Sequence, residues 1–167
     1  MPKRIRMSLR LSKTDFDFPH EVISAERQYL EEIASCALDA YKGTIDYEGE
    51  NLEQTIEEVQ RVYEGFYGPF MTEASFIYRE HEMVYAGLLT CLYRGEPTIT
   101  YTFTRKSRQR LGYATQLIGL ACQRLYELGY HSLFLYVTLE NRDALRLYES
   151  LGFQEVPITT LSEINID

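Results

Sequence analysis

Arg105, Lys106, Arg108 and Arg110 put four positive charges into six residues of an otherwise acidic chain, and Gly112 and Ala114 follow at once. A small residue where a loop enters a helix lets an anion approach backbone N–H groups that have no partner inside the helix. The helix dipole favours negative charge at the same place. The turn Gln109-Arg110-Leu111-Gly112-Tyr113-Ala114 is therefore suited to cradling a phosphate. The same residues equally describe a solvated basic loop, with Gly112 merely easing the turn. No Gly-Lys-Ser/Thr follows, which excludes a nucleotide P-loop, and the absent Gly-x-Gly-x-x-Gly spacing argues against a dinucleotide fingerprint.

A second group of chemical interest is acidic. Gly43-Thr44-Ile45-Asp46-Tyr47-Glu48-Gly49-Glu50 carries three carboxylates in one short stretch, suited either to meeting an amine or simply to being solvated. His20, His81 and His131 have no metal-binding spacing, and no Ser-His-Asp or Cys-His constellation is recognisable, so no metal is expected. Cys36, Cys91 and Cys122 are odd in number and widely spaced, and read as core residues in a reducing compartment.

The elements that must position these groups follow from periodicity. With 167 residues and 45% hydrophobic content, one domain spanning 1–167 is expected. Met7 to Ser12 reads as a short first strand. Leu30, Ile33, Ala34, Ala37, Leu38 and Tyr41 recur at helical spacing, with Gly43 as a stop. Asn51 and Gln54 form a capping-box variant at the head of a second helix bearing Leu52, Ile56, Val59 and Tyr63. From Ala74 the period changes to two: Ala74–Tyr78, Val84–Tyr93 and Thr98–Thr104 read as an antiparallel meander. The third strand alternates Thr98, Thr100, Thr102 and Thr104 against Ile99, Tyr101 and Phe103, which implies a hydroxyl face and an apolar face.

A helix over Tyr113–Leu128, a strand over Leu133–Thr138, a helix over Asn141–Ser150 and a strand over Phe153–Ile158 complete the chain. The order β-α-α-β-β-β-α-β-α-β predicts an α/β fold with a mixed sheet and helices on both faces. The helix between Thr98–Thr104 and Leu133–Thr138 makes that pair a parallel crossover.

The formal charge of −8 argues against nucleic acid or an anionic membrane as the main partner. A small or cationic partner fits better. The basic start Met1-Pro2-Lys3-Arg4-Ile5-Arg6 is not followed by an apolar run, and no stretch approaches a transmembrane span, so a cytoplasmic location is expected.

Two segments resemble one known family. Gln109-Arg110-Leu111-Gly112-Tyr113-Ala114 matches the Gln/Arg-x-x-Gly-x-Gly/Ala motif of the GNAT superfamily of N-acetyltransferases, where it binds the pyrophosphate of acetyl-CoA. Asn141-Arg142-Asp143-Ala144-Leu145-Arg146-Leu147-Tyr148-Glu149-Ser150-Leu151-Gly152-Phe153 is similar to the family's Asn-x-x-Ala-x-x-Leu-Tyr-x-x-x-Gly-Phe segment. The two stand in the family's order and separation. The resemblance covers about Ala74 to Phe153, so the acceptor pocket shaped by the first two helices is where it says least.

The resemblance implies that the amides of Phe103 and Thr104 hold the pantetheine arm and acyl carbonyl, and that those of Gln109, Arg110, Leu111, Gly112, Tyr113, Ala114 and Thr115 hold the pyrophosphate. Donors aimed at that carbonyl also stabilise the oxyanion formed when an amine attacks the thioester. Tyr148 is the implied general acid for the departing thiolate. Reference values of about 10 for tyrosine and about 8.5 for a thiol make full transfer uphill by roughly 2 kcal/mol, so hydrogen-bond donation suffices. Asn141 caps its helix, contacts the cofactor, or does both.

Some family members carry a glutamate base on the strand assigned to Thr98–Thr104. This chain has threonines there, and leaves Glu96, of the same parity, as a base acting through water. Two function classes follow: an N-acetyltransferase using acetyl-CoA and a primary amine, possibly cationic, and a non-catalytic acyl-CoA-binding module. Family members usually fit a two-strand hairpin at the C-terminus, yet only Gln154 to Asp167 remain. A neighbouring chain in a homodimer is one way to complete that sheet edge.

Overall fold

The computed structural model describes residues 3–14, 19 and 21–158; His20 and residues 159–167 lie outside them. The described elements are β1 (Arg4–Arg10), β2 (Val22–Ser24), α1 (Leu30–Tyr41), α2 (Leu52–Tyr63), β3 (Phe76–Glu80), β4 (Met83–Tyr93), β5 (Glu96–Thr104), α3 (Tyr113–Glu127), β6 (Ser132–Thr138), α4 (Arg142–Ser150) and β7 (Gln154–Val156).

The strands form one sheet of seven in the order β2-β3-β4-β5-β6-β1-β7. Strands β3, β4 and β5 make the expected antiparallel meander, and β5 pairs with β6 in parallel across α3. On one face, Leu117, Ile118, Ala121 and Leu125 of α3 and Tyr148 of α4 pack with Ile5, Met7, Leu88, Leu133 and Leu135. On the other, Ile33, Ala34 and Ala37 of α1 and Val59 and Val62 of α2 pack with Ile77, Leu89 and Phe103. A mixed sheet covered by helices on both faces is the architecture the periodicity implied.

Local signals explain where the first two helices sit. The capping box is complete: Gln54 N–H donates to Asn51 Oδ1 at 2.8 Å, and Asn51 N–H donates to Gln54 Oε1 at 2.9 Å. Arg79 of β3 clamps Glu32 of α1 with two bonds of 2.8 and 3.1 Å, a paired geometry that fixes the helix on the sheet.

Three features depart from the sequence-based expectation. First, the initial strand has other bounds, and the sequence leaves its place in the sheet open. It is Arg4–Arg10 rather than Met7–Ser12, and it lies inside the sheet, antiparallel to β6 along seven residue pairs and to β7 along three. The strand for which the C-terminal stretch has no room is supplied by the chain's own beginning. The position beside β6 needs no neighbouring chain.

Second, β2 was not anticipated, because three residues are too few to display alternation. It pairs with β3 at the opposite edge. Third, the threonine alternation in β5 is broken. Leu89 pairs with Tyr101 but Thr90 pairs with Ile99, so Thr100 is an extra residue, a β-bulge. Beyond it the faces exchange: Ile99 belongs to the α3 core, whereas Tyr101 and Phe103 face α1 and α2. No single hydroxyl face exists.

Met7 is 1% exposed and belongs to the α3 core. Met7→Ala is expected to lose about 2–5 kcal/mol, read from the urea midpoint. Unchanged stability would mean that β1 is not inside the sheet.

Candidate active site

The parallel pairing of β5 with β6 is limited to Thr98↔Phe134 and Ile99↔Leu135. Past these the strands splay, starting at the Thr100 bulge. Backbone groups on the open side of β5 lose their sheet partner and need another. Two side chains supply one. The Tyr41 O–H donates to the Thr102 carbonyl at 3.0 Å, and Gln109 Nε2 donates to the Thr104 carbonyl at 3.0 Å.

Thr102 and Thr104 thus turn their backbone groups into the splay. Arg105 N–H donates across to Tyr85 of β4 at 2.8 Å, and antiparallel alternation then directs the Phe103 amide to Gly87. This corrects the expectation for Phe103, whose amide faces β4. Its side chain takes another part: a Cβ on Gly87 would stand 2.4 Å from Phe103 Cζ. The ring lies across the bare glycine and wedges the end of β5.

At the head of α3, Gly112 adopts φ +87, a left-handed conformation that glycine accepts without strain, and a Cβ there would meet nothing within 4 Å. The space above it is open. Among the described residues the amides of Gly112, Tyr113, Ala114 and Thr115 donate to no protein acceptor, as first-turn amides must.

The basic flank divides. The Arg105 guanidinium donates to the Val84 carbonyl at 3.1 and 3.2 Å. Lys106 reaches the carbonyls of Asp39 and Lys42. Arg108 pairs with Glu80 at 3.0 Å, donates to the Tyr113 hydroxyl at 2.9 Å and stacks on Tyr85. These three hold the loop in place. Arg110 differs: its side chain is 86% exposed, with only a 3.7 Å pairing to Asp143, which leaves it available to an anion. Leu111 beside it is also exposed.

The far wall of the splay comes from β6 and α4. Asn141 caps α4 through Ala144 N–H at 3.3 Å, and its amide also donates to Asp46 Oδ2 at 3.1 Å. Thr138 O–H donates to Asp46 Oδ1 at 3.0 Å. The acidic loop after α1 therefore folds over the mouth of the splay. Of its three carboxylates, Asp46 is delivered to the site, while Glu50 accepts from the Glu48 amide within the loop.

Tyr148 lies against Phe153, ring centroids 5.8 Å apart, and is 7% exposed. Burial, and then the Asp46 charge, push its phenol above the ordinary tyrosine range. Among the described residues its hydroxyl has no hydrogen-bond partner. Tyr41 is raised in the same way, chiefly by burial and then by Tyr148 and Asp46. Tyr41, Asp46, Thr138, Asn141 and Tyr148 form one constellation around the splay.

Glu96 is not part of it. It opens β5, eight residues from Thr104 and ~26 Å away along an extended strand. Its carboxylate is paired with Arg6 of β1 at 2.5 Å. The parity that commended Glu96 is lost at the Thr100 bulge. Tyr41 and Asp46 were the residues that sequence left unassigned; no motif marks them, and only the path of the α1–α2 loop brings them in.

The sequence model of the acetyltransferase (GNAT) family matches residues 30–153. The chain belongs to the GNAT acetyltransferase family. Solved structures share the fold: the ribosomal-protein-S18-alanine N-acetyltransferase from Escherichia coli aligns at 21% identity and TM-score 0.64, over 81% of this chain and 78% of that one. The PaiA N-acetyltransferase from Thermoplasma acidophilum, in complex with coenzyme A, aligns at 14% identity and TM-score 0.67, over 84% and 92%. AAC(6')-Iy, in complex with the bisubstrate analogue CoA-S-monomethyl-acetylneamine, aligns at 15% identity and TM-score 0.59, over 83% and 92%. No curated protein sequence matches this GNAT chain significantly. Among its described residues no helix is long and apolar enough to cross a membrane, and no cluster of three His, Cys, Asp or Glu side chains could hold a metal ion.

In this GNAT domain, Gly87→Ala forces the Phe103 ring to move and is expected to cost about 1–3 kcal/mol and to weaken CoA binding together with stability. Thermal unfolding and calorimetric titration of CoA would check both. A variant as stable as the parent with unchanged affinity would rule out the wedge.

Proposed function

We propose that the protein transfers an acetyl group from acetyl-CoA to a primary amine of a small molecule or peptide by direct attack on the thioester. The observation that carries this reading is the splay between β5 and β6. The backbone edge at Thr102 and Thr104, which has lost its strand partner, opens beside Tyr41 and the buried residue Tyr148, whose hydroxyl has no partner among the described residues. CoA binding alone needs the edge but gives Tyr148 no task.

The backbone groups of Thr102 and Thr104 take the pantetheine amides. Gln109 orients the strand end by holding the Thr104 carbonyl. The amides of Gly112 to Thr115, with Arg110 beside them, take the pyrophosphate. Asp46 accepts from the acceptor ammonium and provides the route for its proton, the role that Glu96 cannot fill from the far end of β5. The N–C bond forms as the C–S bond breaks, and Tyr148 donates its hydrogen bond, or its proton, to the departing sulfur. A phenol held above its ordinary range stays protonated through the working pH, so it is always in the donating form.

The non-catalytic reading keeps one observation in its favour, the absence of a free carboxylate on β5. Tyr148→Phe separates the two. Release of CoA thiol in the presence of an amine panel is expected to fall 10- to 100-fold with CoA affinity nearly unchanged; equal turnover in the variant would remove Tyr148 from the chemistry. Gly112→Val, by contrast, crowds the phosphate site and strains a left-handed position. It is expected to cut CoA affinity at least tenfold.

The pH dependence follows from the same shifts. Because the Tyr148 phenol is raised, kcat should show no tyrosine-linked fall up to about pH 10, the unperturbed value, while kcat/KM climbs as the amine deprotonates. A fall in kcat beginning near pH 8 would contradict the assignment. Buried free thiols at Cys36 and Cys91 support a cytoplasmic setting for the reaction.

A further inference from the structure

The inserted first strand brings a charge to the site. β1 runs antiparallel to β6 with Arg4 opposite Thr138, the residue whose hydroxyl holds Asp46. Ile5 and Met7 enter the α3 core, so alternation puts Arg4 and Arg6 on the other face of the sheet. That is the face of Phe134, Tyr136 and Thr138, over which the α1–α2 loop folds.

The two arginines are equivalent by position but not by partner. Arg6 stacks on Phe134 at 4.1 Å and is neutralised by Glu96 at 2.5 Å. Arg4 lies 5.7 Å from the Tyr136 ring centre, and among the described residues no carboxylate stands within 4 Å of it. Other described cations, Arg142 among them, also lack such a partner, but Arg4 is the one that strand register sets beside Thr138. It also acts on the site: among the charges around the Tyr41 phenol, Arg4 is the one that opposes the upward push.

Asp46 and Arg4 flank Thr138 from the loop above and from the neighbouring strand. Strand register and the Thr138 hydrogen bond thus bring an anion-binding and a cation-binding side chain to the same end of β6, where one small ligand carrying both charges can meet the two. Glu58 of α2 is already committed: it accepts from the hydroxyls of Tyr101 and Tyr67 and pairs with Arg61.

We infer that the acceptor is a zwitterion of the α-amino-acid type, its ammonium received by Asp46 and its carboxylate by Arg4. This rests on the acyl-transfer reading and narrows the expected amine acceptor to one bearing an anion beside its amine. Arg4 is then a specificity residue. A guanidinium is suited to the task because it meets a carboxylate with two parallel hydrogen bonds.

The test uses the full chain and a panel of α-amino acids, their α-carboxamides, and the N-acetylated forms of both. Calorimetric titration of the N-acetylated forms into the CoA-saturated protein is expected to show at least one acid binding tenfold or more tighter than its amide. Arg4→Gln should bring that ratio to about one, and Arg4→Lys should retain part of it. Turnover of the free acids over the amides should follow the same ratio. Amides bound as well as acids, no acid bound more tightly than millimolar, or an Arg4→Gln variant that loses both alike would each overturn the inference. Failure of the acyl-transfer reading is distinguishable, because the binding ratio would then persist without CoA release from any amine.

Discussion

The site depends on a backbone that cannot pair with itself. Where β5 and β6 part, the N–H and C=O groups of Thr102 and Thr104 lose the strand that ordinarily satisfies them, and an unsatisfied amide in a protein interior costs on the order of 1–3 kcal/mol. The surrounding residues answer that cost. Tyr41 and Gln109 donate to the two carbonyls, the Phe103 ring holds the strand end down on Gly87, and Thr100 supplies the bulge that starts the divergence. A ligand rich in amides can replace those donors without asking the fold to open further. The bulge, the wedge and the two borrowed donors shape one opening.

Electrostatics narrow what happens in that opening. Three of the four basic residues before α3 are occupied in holding the loop, so an anion at this turn would be met mainly by helix-end amides, with Arg110 beside them. Across the splay, Asp46 is shared between Thr138 and Asn141 and raises the phenols of Tyr41 and Tyr148 in addition to burial. One carboxylate therefore adds to burial in keeping both phenols protonated.

What could be read from the sequence was whatever is local. The capping box at Asn51 and Gln54, the helical stripe of α1, the turn into α3 and the Asn141 cap each need only a few neighbouring residues, and all four are present as read. The β5 faces were misread because period two assumes no inserted residue, and a bulge leaves no mark in a run of threonines. Glu96 fell with that assumption. Asp46 could not be separated from Glu48 and Glu50, since the loop's landing point depends on α4. The position of β1 was illegible for a stronger reason: alternation tells which residues face inward, never which strand lies alongside.

That last point links topology to chemistry. A strand at the beginning of the chain fills a place between β6 and β7, near its other end, so the two ends are bound through the sheet beside the splay. Had the same place been filled by a strand from after β7, Arg4 would not stand beside Thr138. The inserted strand leaves the core side almost unaffected, because Ile5 and Met7 contribute only apolar bulk to the α3 layer. On the other face it decides the charge. The strand that completes the sheet thus gives its apolar residues to the core and its arginines to the open face.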